Sequence, residues 1–258
     1  MKTLITIDFD FYMPENPEWD IGHQESLVFL KMVWGTRIGL MDKMKTDGSE
    51  RIFWDWLKKR VDIGKAPMFV SDSHCCAYNL LRGVNRVISF DAHHDCWECD
   101  SLGVDKSAHG IYCHNWLREW LEGSRSRKAV WVAPRWLDKE CGVPRGVDKL
   151  EKRVWSQFTD LGVEGSVIVH VCRSGCWVPP WLDKAFLGFL TASGRGFERM
   201  TVQQGGEWNP LAERWSEKDL RDVLEQEAEI QQVFKKSGMV TGTISSRNFL
   251  DYKVEQKV

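Results

Sequence analysis

Asp91-Ala92-His93-His94-Asp95 gathers two carboxylates around an imidazole, directly after the run Arg86-Val87-Ile88-Ser89-Phe90. That run is β-branched and aromatic, follows Leu81-Arg82-Gly83, and predicts a short buried strand. If strand alternation continues past it, Asp91, His93 and Asp95 point to one side. Acids and imidazoles aimed together into a fold lose solvation unless a partner compensates them, and a divalent cation is an economical partner. A polar loop after a strand is the ordinary alternative for one such pentapeptide.

Two further stretches favour the cation. In Leu4-Ile5-Thr6-Ile7-Asp8-Phe9-Asp10-Phe11-Tyr12 polar and apolar residues alternate, which predicts a strand with Thr6, Asp8 and Asp10 on one face. Paired Asp residues are depleted in strands and repel each other when close. Met68-Phe69-Val70-Ser71-Asp72-Ser73-His74 is another short apolar run that delivers a His at its carboxyl end. Open α/β sheets bind ligands in the crevice beyond the carboxyl ends of their strands. Three such strands therefore predict one shared metal site.

These residues resemble the motifs of the ureohydrolases, the arginase and agmatinase group. Asp91-Ala92-His93-His94-Asp95 matches the D-A-H-x-D motif of that family in full. Thr6-Ile7-Asp8-Phe9-Asp10 is similar to its S-x-D-x-D motif with Thr for Ser, and Met13-Pro14 departs from the usual D-P ending. His74 stands where the ligand His of a glycine-rich motif would stand, without the glycines. The D-x-D strand comes first in this chain and late in ordinary arginases. That order resembles the peptide-arginase branch, which converts arginine side chains within peptides to ornithine and opens with a strand like Asp8-Phe9-Asp10-Phe11-Tyr12. Gly110-Ile111-Tyr112-Cys113-His114-Asn115-Trp116 is similar to a later helix start of that branch. Arg173-Ser174-Gly175-Cys176-Trp177-Val178-Pro179 is a weaker match to an S-P-G-Y-x-P stretch. The resemblance covers roughly residues 1–190.

The resemblance implies a three-layer α/β/α arginase-like fold with a mainly parallel sheet, its strand order permuted relative to ordinary arginases. It also implies two divalent ions, with Mn²⁺ the best suited to a carboxylate and imidazole donor set. One ion would take His74, Asp91, Asp95 and Asp8; the other would take His93, Asp91, Asp8 and Asp10, with Asp91 and Asp8 shared. Such a pair lowers the pKa of a water that attacks a guanidinium carbon, and urea is lost after protonation of the departing amine. The substrate would be arginine, free or within a peptide. A deacetylase-like amidohydrolase of the same superfamily and a non-catalytic binding protein on the same fold are the alternatives.

Several further residues are candidates for that chemistry. Asp95, or the Asp8/Asp10 side, would handle protons near the metals. His109 or His114 would serve as a proton shuttle, because imidazole titrates near neutral pH; a helix-start His bonded locally is the competing explanation. Asn115 would orient substrate or hold a helix turn. Guanidinium recognition calls for a carboxylate, and Glu98, Glu25 and Glu207 are the candidates. His94 alternates away from His93 and is expected to bond within the core. Arg173 would meet a substrate carboxylate or an acid of the protein.

The elements that must position these groups follow from periodicity. Strands are expected over residues 4–12, up to Val70, over 86–90, Lys128 to Ala133, Val167 to Val171 and at Met200-Thr201-Val202. Helices are expected from Glu25 to about Met44, from Ser49 through Leu57, and from His74 to Leu80. Others run from Ile111 to Glu122, Val147 to Phe158, Pro180 to Leu190 and from Ser216. Alternating strands and helices predict a parallel sheet covered on both faces.

Composition sets the outer bounds. The 258 residues suffice for one large domain, residues 1–258, in which the part after about Gly238 is a strand or a loose tail. A net charge of -2 gives no electrostatic footprint for nucleic acid. Fourteen Trp residues are expected in core and helix packing. Asp8 and Asp10 interrupt the apolar start, so no signal peptide is expected, and no apolar run approaches the ~18 residues of a membrane span. Eight cysteines lie too scattered for a zinc site and are expected as buried thiols, in keeping with a cytoplasmic protein that has no membrane partner. An oligomer is compatible with all of this.

Overall fold

The computed structural model describes residues 1–14, 34, 42–97, 111–137, 146–157 and 160–200. Within them, seven strands form one all-parallel sheet: β1 (Lys2–Asp8), β2 (Met68–Ser71), β3 (Arg86–Phe90), β4 (Lys128–Ala133), β5 (Leu150–Val154), β6 (Ser166–Cys172) and β7 (Glu198–Arg199). Their order across the sheet is β5-β4-β3-β1-β6-β2-β7. The central strands are almost wholly buried; β3 and β6 accordingly read as largely apolar runs, while in β1 even Thr3, Thr6 and Asp8 are buried.

Helices lie against both faces. Alternate strand residues Ile5, Ile7, Ile88, Phe90, Val169 and Val171 share one core with α1 (Glu50–Lys58) and α3 (Asp183–Ala192). Leu4, Val87, Ala129, Trp131 and Ile168 share the other with α2 (Trp116–Glu122). The chain leaves β1 for β2 on one side and returns as β3 on the other, so the order reverses at β1. The crevice beyond the carboxyl ends of β1 and β3 therefore sits at a topological switch point. Among the described residues, no helix is long and apolar enough to cross a membrane.

Several elements differ from the periodicity reading. β1 ends at Asp8, and the chain tightens into a 3₁₀ turn, Phe9–Tyr12, instead of alternating onward. The Asp8 carboxylate accepts from Asp10 N at 3.2 Å, a local bond that competes with strand continuation. Phe9, Phe11 and Tyr12 all pack into the α1/α3 core, which no alternating strand would allow. The helix expected from Val147 to Phe158 is instead β5, closed by the 3₁₀ turn Trp155–Gln157. Leu150 and Val154 are four apart, a spacing that serves a helix face and an every-other-residue strand face equally. The open edge of β4 decides the matter: β5 pairs with it from Ala129↔Leu150 to Ala133↔Val154.

Helix starts also shift. Residues 113–115 form a turn ahead of α2, so the helix starts at Trp116 and not at Ile111. The Asp95 carbonyl accepts from Leu117 N and Arg118 N at 3.2 and 3.3 Å, satisfying two donors of α2's first turn. The His74–Leu80 segment is 3₁₀, and Pro180–Leu182 is a 3₁₀ turn before α3. Of the strand expected at residues 200–202, Met200 is described and lies just past the end of β7, while residues 201 and 202 lie outside the described residues. So do the helix from Ser216, the tail after Gly238 and nearly all of the helix expected from Glu25, of which Trp34 is described and fully buried.

Candidate metal centre

Each group reaches the crevice from a different element. Asp8 is the last residue of β1, and Asp10 follows in the 3₁₀ turn. His74 opens the 3₁₀ segment after β2, and residues 91–95 leave β3. Asp8, His74 and Asp91 bring ligand atoms within 4.8 Å of one another, and so do Asp10, Asp91 and His93. Asp91 belongs to both triads. Asp95 joins the first, with its Oδ2 2.8 Å from His74 Nδ1, while Asp91 Oδ2 lies 2.9 Å and Asp8 Oδ2 3.4 Å from the same nitrogen. His93 Nδ1 is 2.9 Å from Asp10 Oδ2 and 3.8 Å from Asp91 Oδ1.

The donor atoms of each triad crowd together in the crevice. His74 Nδ1, Asp91 Oδ2 and Asp10 Oδ2 are buried, and none makes a hydrogen bond of acceptable geometry despite the short separations. Buried polar atoms are nearly always satisfied, so such groups call for an explanation. Oxygen and imidazole donors in this arrangement fit a divalent cation. Each triad has the residues to hold one.

The backbone supports the cluster. His93 N donates to Asp91 Oδ1 at 2.7 Å, and Trp131 Nε1 donates to the Asp91 carbonyl at 2.9 Å. Trp116 Nε1 donates to Asp95 Oδ2 at 2.5 Å. Asp95 has φ +48°, in the left-handed region that Asp tolerates better than most residues. This conformation lets one residue send its carboxylate to the cluster and its carbonyl to α2.

Electrostatics agree with an unmet need for positive charge. Burial, then Asp10 and Asp91, push the Asp8 carboxyl well above its usual range. Burial followed by Asp91 raises Asp10, and burial followed by Asp95 raises Asp91. Burial alone would lower the two imidazoles, but their carboxylate neighbours outweigh it. His74 is raised well above 6.5 beside Asp95 and Asp91, and His93 rises to about 10 beside Asp10.

A pH dependence follows. With raised pKa values, the metal-free fold holds more protons than the unfolded chain, so its stability falls as pH climbs. The carboxylates set that trend from about 3.8 upward, and His93 carries it from 6.5 to about 10. A cation must displace the imidazole protons. Its affinity is expected to rise at least about tenfold per pH unit at each triad between pH 6 and 8. Calorimetry in buffers of different ionisation enthalpy should register proton release on Mn²⁺ addition. Uptake that releases no protons at pH 7 would contradict protonated imidazoles at His74 and His93 in the metal-free chain.

All six residues expected as metal ligands, Asp8, Asp10, His74, Asp91, His93 and Asp95, thus meet in one cluster. His114 lines the same cavity with Trp97, Cys113, Ser174, Cys176 and Trp177, and its ring stacks on Tyr112. Asn115 is fully buried and is not part of that lining; its Oδ1 accepts from Tyr112 N at 2.7 Å, which holds the turn before α2. His94 is held low, at about 4, chiefly by burial; it accepts from Cys96 N and packs on Trp97 and Trp131. Glu98, His109, Glu25 and Glu207 lie outside the described residues. Sequence reasoning misses His170, which sits buried behind His74, bonded to Thr6. The available signal was a lone imidazole in the apolar run Val167-Ile168-Val169-His170-Val171.

Compared with family models, curated proteins and solved structures, the chain matches none.

Proposed function

We propose that this chain is a metal-dependent hydrolase of the ureohydrolase kind. It would cleave the guanidinium of arginine, free or within a peptide, to ornithine and urea. The carrying observation is the pair of ligand triads sharing Asp91 at the carboxyl edge of the sheet. The motif resemblance supplies the reaction class, and an arginase-like fold of permuted strand order belongs to the same proposal.

Two divalent ions, Mn²⁺ by preference, would be held by Asp8, His74, Asp91 and Asp95 and by Asp10, Asp91 and His93, with Asp8 shared as well. When bound, such ions supply a water of lowered pKa and stabilise negative charge on the reacting carbon's substituents. The protein's own groups do the rest. Asp95, whose Oδ2 accepts from the Trp116 indole N–H, would take a proton at a carboxylate oxygen. His114 lines the cavity near it and is the described imidazole suited to deliver a proton to the departing amine as the C–N bond breaks. Trp97 and Trp177 line the same cavity. The cysteine usage suits a cytoplasmic setting for this reaction.

The test is a urea assay on purified protein supplied with Mn²⁺, first with free arginine and then with arginine-containing peptides. About two ions per chain and urea from one substrate are expected. Bound metal with no urea from either substrate would overturn the arginase assignment.

A further inference from the structure

Behind His74, on the side away from the carboxylates, runs a buried polar chain that the chemistry above leaves unused. His74 Nε2 lies 2.8 Å from Thr6 Oγ1, and the same hydroxyl lies 2.9 Å from His170 Nδ1. His170 Nε2 is 2.9 Å from Ser71 Oγ, which donates to the Ser73 carbonyl at 2.7 Å. Thr6 and His170 are fully buried, and Ser71, Ser73 and His74 nearly so. Thr6 and His170 are register partners across β1 and β6, and β2 on the other side of β6 brings Ser71 beside Cys172, two residues further on.

The direction of this chain follows from its closed end. A carbonyl oxygen only accepts, so the single Ser71 hydroxyl proton goes to Ser73 O. Ser71 Oγ then accepts from His170 Nε2, which places the ring proton there. A neutral ring protonated at Nε2 offers Nδ1 as an acceptor, so the Thr6 hydroxyl donates to it. Thr6 Oγ1 must in turn accept from His74 Nε2–H. The remaining nitrogen of His74, Nδ1, therefore faces Asp91, Asp95 and Asp8 with its lone pair whenever that ring is neutral. A charged His170 would stand between two hydroxyls beside a second imidazole; burial and His74 both hold it well below the ordinary value.

We infer that Thr6, His170 and Ser71 are positioning residues for His74, locking it in the tautomer that presents Nδ1 to a cation at the Asp8–His74–Asp91 triad. This rests on the assignment of that triad as a cation site. Groups behind a ligand imidazole typically change metal affinity by about 10–100-fold. His93 is positioned differently, with its ring packed on Trp177 at 4.4 Å between centroids. The relay thus serves one triad and not the other.

The experiment titrates the metal-free full chain with Mn²⁺ alone, comparing wild type with Thr6→Val and Thr6→Ser. Val keeps the shape of Thr and removes the hydroxyl. Thr6→Val is expected to weaken one of the two ions by about 10–100-fold and leave the other unchanged, while Thr6→Ser restores most of the loss. Long-range ¹H–¹⁵N spectra of the wild-type histidines, which need no variant to fold, should show His170 neutral with its proton on Nε2. A proton on His170 Nδ1, or a folded Thr6→Val with wild-type affinity at both sites, overturns the inference while leaving the cation sites standing. A wild-type chain that takes up no Mn²⁺ overturns both.

Discussion

Asp91→Asn is expected to abolish cation binding at both triads and, with it, urea release, while leaving the metal-free chain at least as stable as wild type. Asp91 is the residue common to the two ligand sets. Its Oδ2 lies 2.9 Å from His74 Nδ1, and its Oδ1 3.8 Å from His93 Nδ1. Asn preserves the shape and the oxygen that accepts from His93 N at 2.7 Å, so the turn after β3 persists. The charge does not persist, and that charge is what a cation would meet. The loss of affinity should exceed the roughly 100-fold upper end typical of groups lying behind ligands.

The stability half of this expectation has the opposite sign. Burial and then Asp95 raise the Asp91 carboxyl, so its ionised form is costly in the metal-free fold. Removing it relieves a crowd that includes Asp8, Asp10 and Asp95. His93→Ala makes the contrast, because it removes a ligand from one triad only and should leave one ion per chain. Metal analysis and thermal melts after chelation decide. Two ions retained in Asp91→Asn, or a metal-free melt well below wild type, would refute the shared-ligand geometry.

The cluster was legible in the sequence because its residues sit at the carboxyl ends of apolar runs that could only be buried strands. Asp8 ends β1, Asp91 directly follows β3, and His74 follows β2 after a two-residue gap. What periodicity could not supply was the set of tertiary decisions. The Leu150/Val154 spacing suits two structures, and only the vacant edge of β4 selects the strand. The turn at Phe9 depends on a side-chain bond from Asp8 to Asp10 N and on the aromatic core beneath it. His170 could not be linked to His74 because strand order, and not chain order, puts β6 beside β1 and β2.

Arg173→Ala is expected to destabilise the fold by about 3–5 kcal/mol, the usual result of removing one partner from a buried ion pair. Arg173 is 1% exposed. Its Nε donates to Asp183 Oδ1 at 2.7 Å, and its Nη1 lies 3.5 Å from Asp72 Oδ1. The guanidinium therefore ties the end of β6 to the start of α3 and to the residue after β2. Between these two acids it serves as an internal clamp, which settles the sequence alternatives in favour of an acid of the protein. Without it, two largely buried carboxylates lose the guanidinium that faces both. At roughly 2–4 °C per kcal/mol for a chain near this size, the melting temperature should fall by on the order of 10 °C. Adding Asp72→Asn and Asp183→Asn should recover part of that loss, because the two groups that faced the guanidinium are then neutral. The site should feel the change too. Ser174, Cys176 and Trp177 line the cavity just beyond Arg173, and Trp177 packs on His93, so Arg173→Ala should weaken the ion at the His93 triad more than the one at His74. An Arg173→Ala chain that melts within about 1 kcal/mol of wild type, the scale of an exposed pair, would show that the clamp does not hold these elements together.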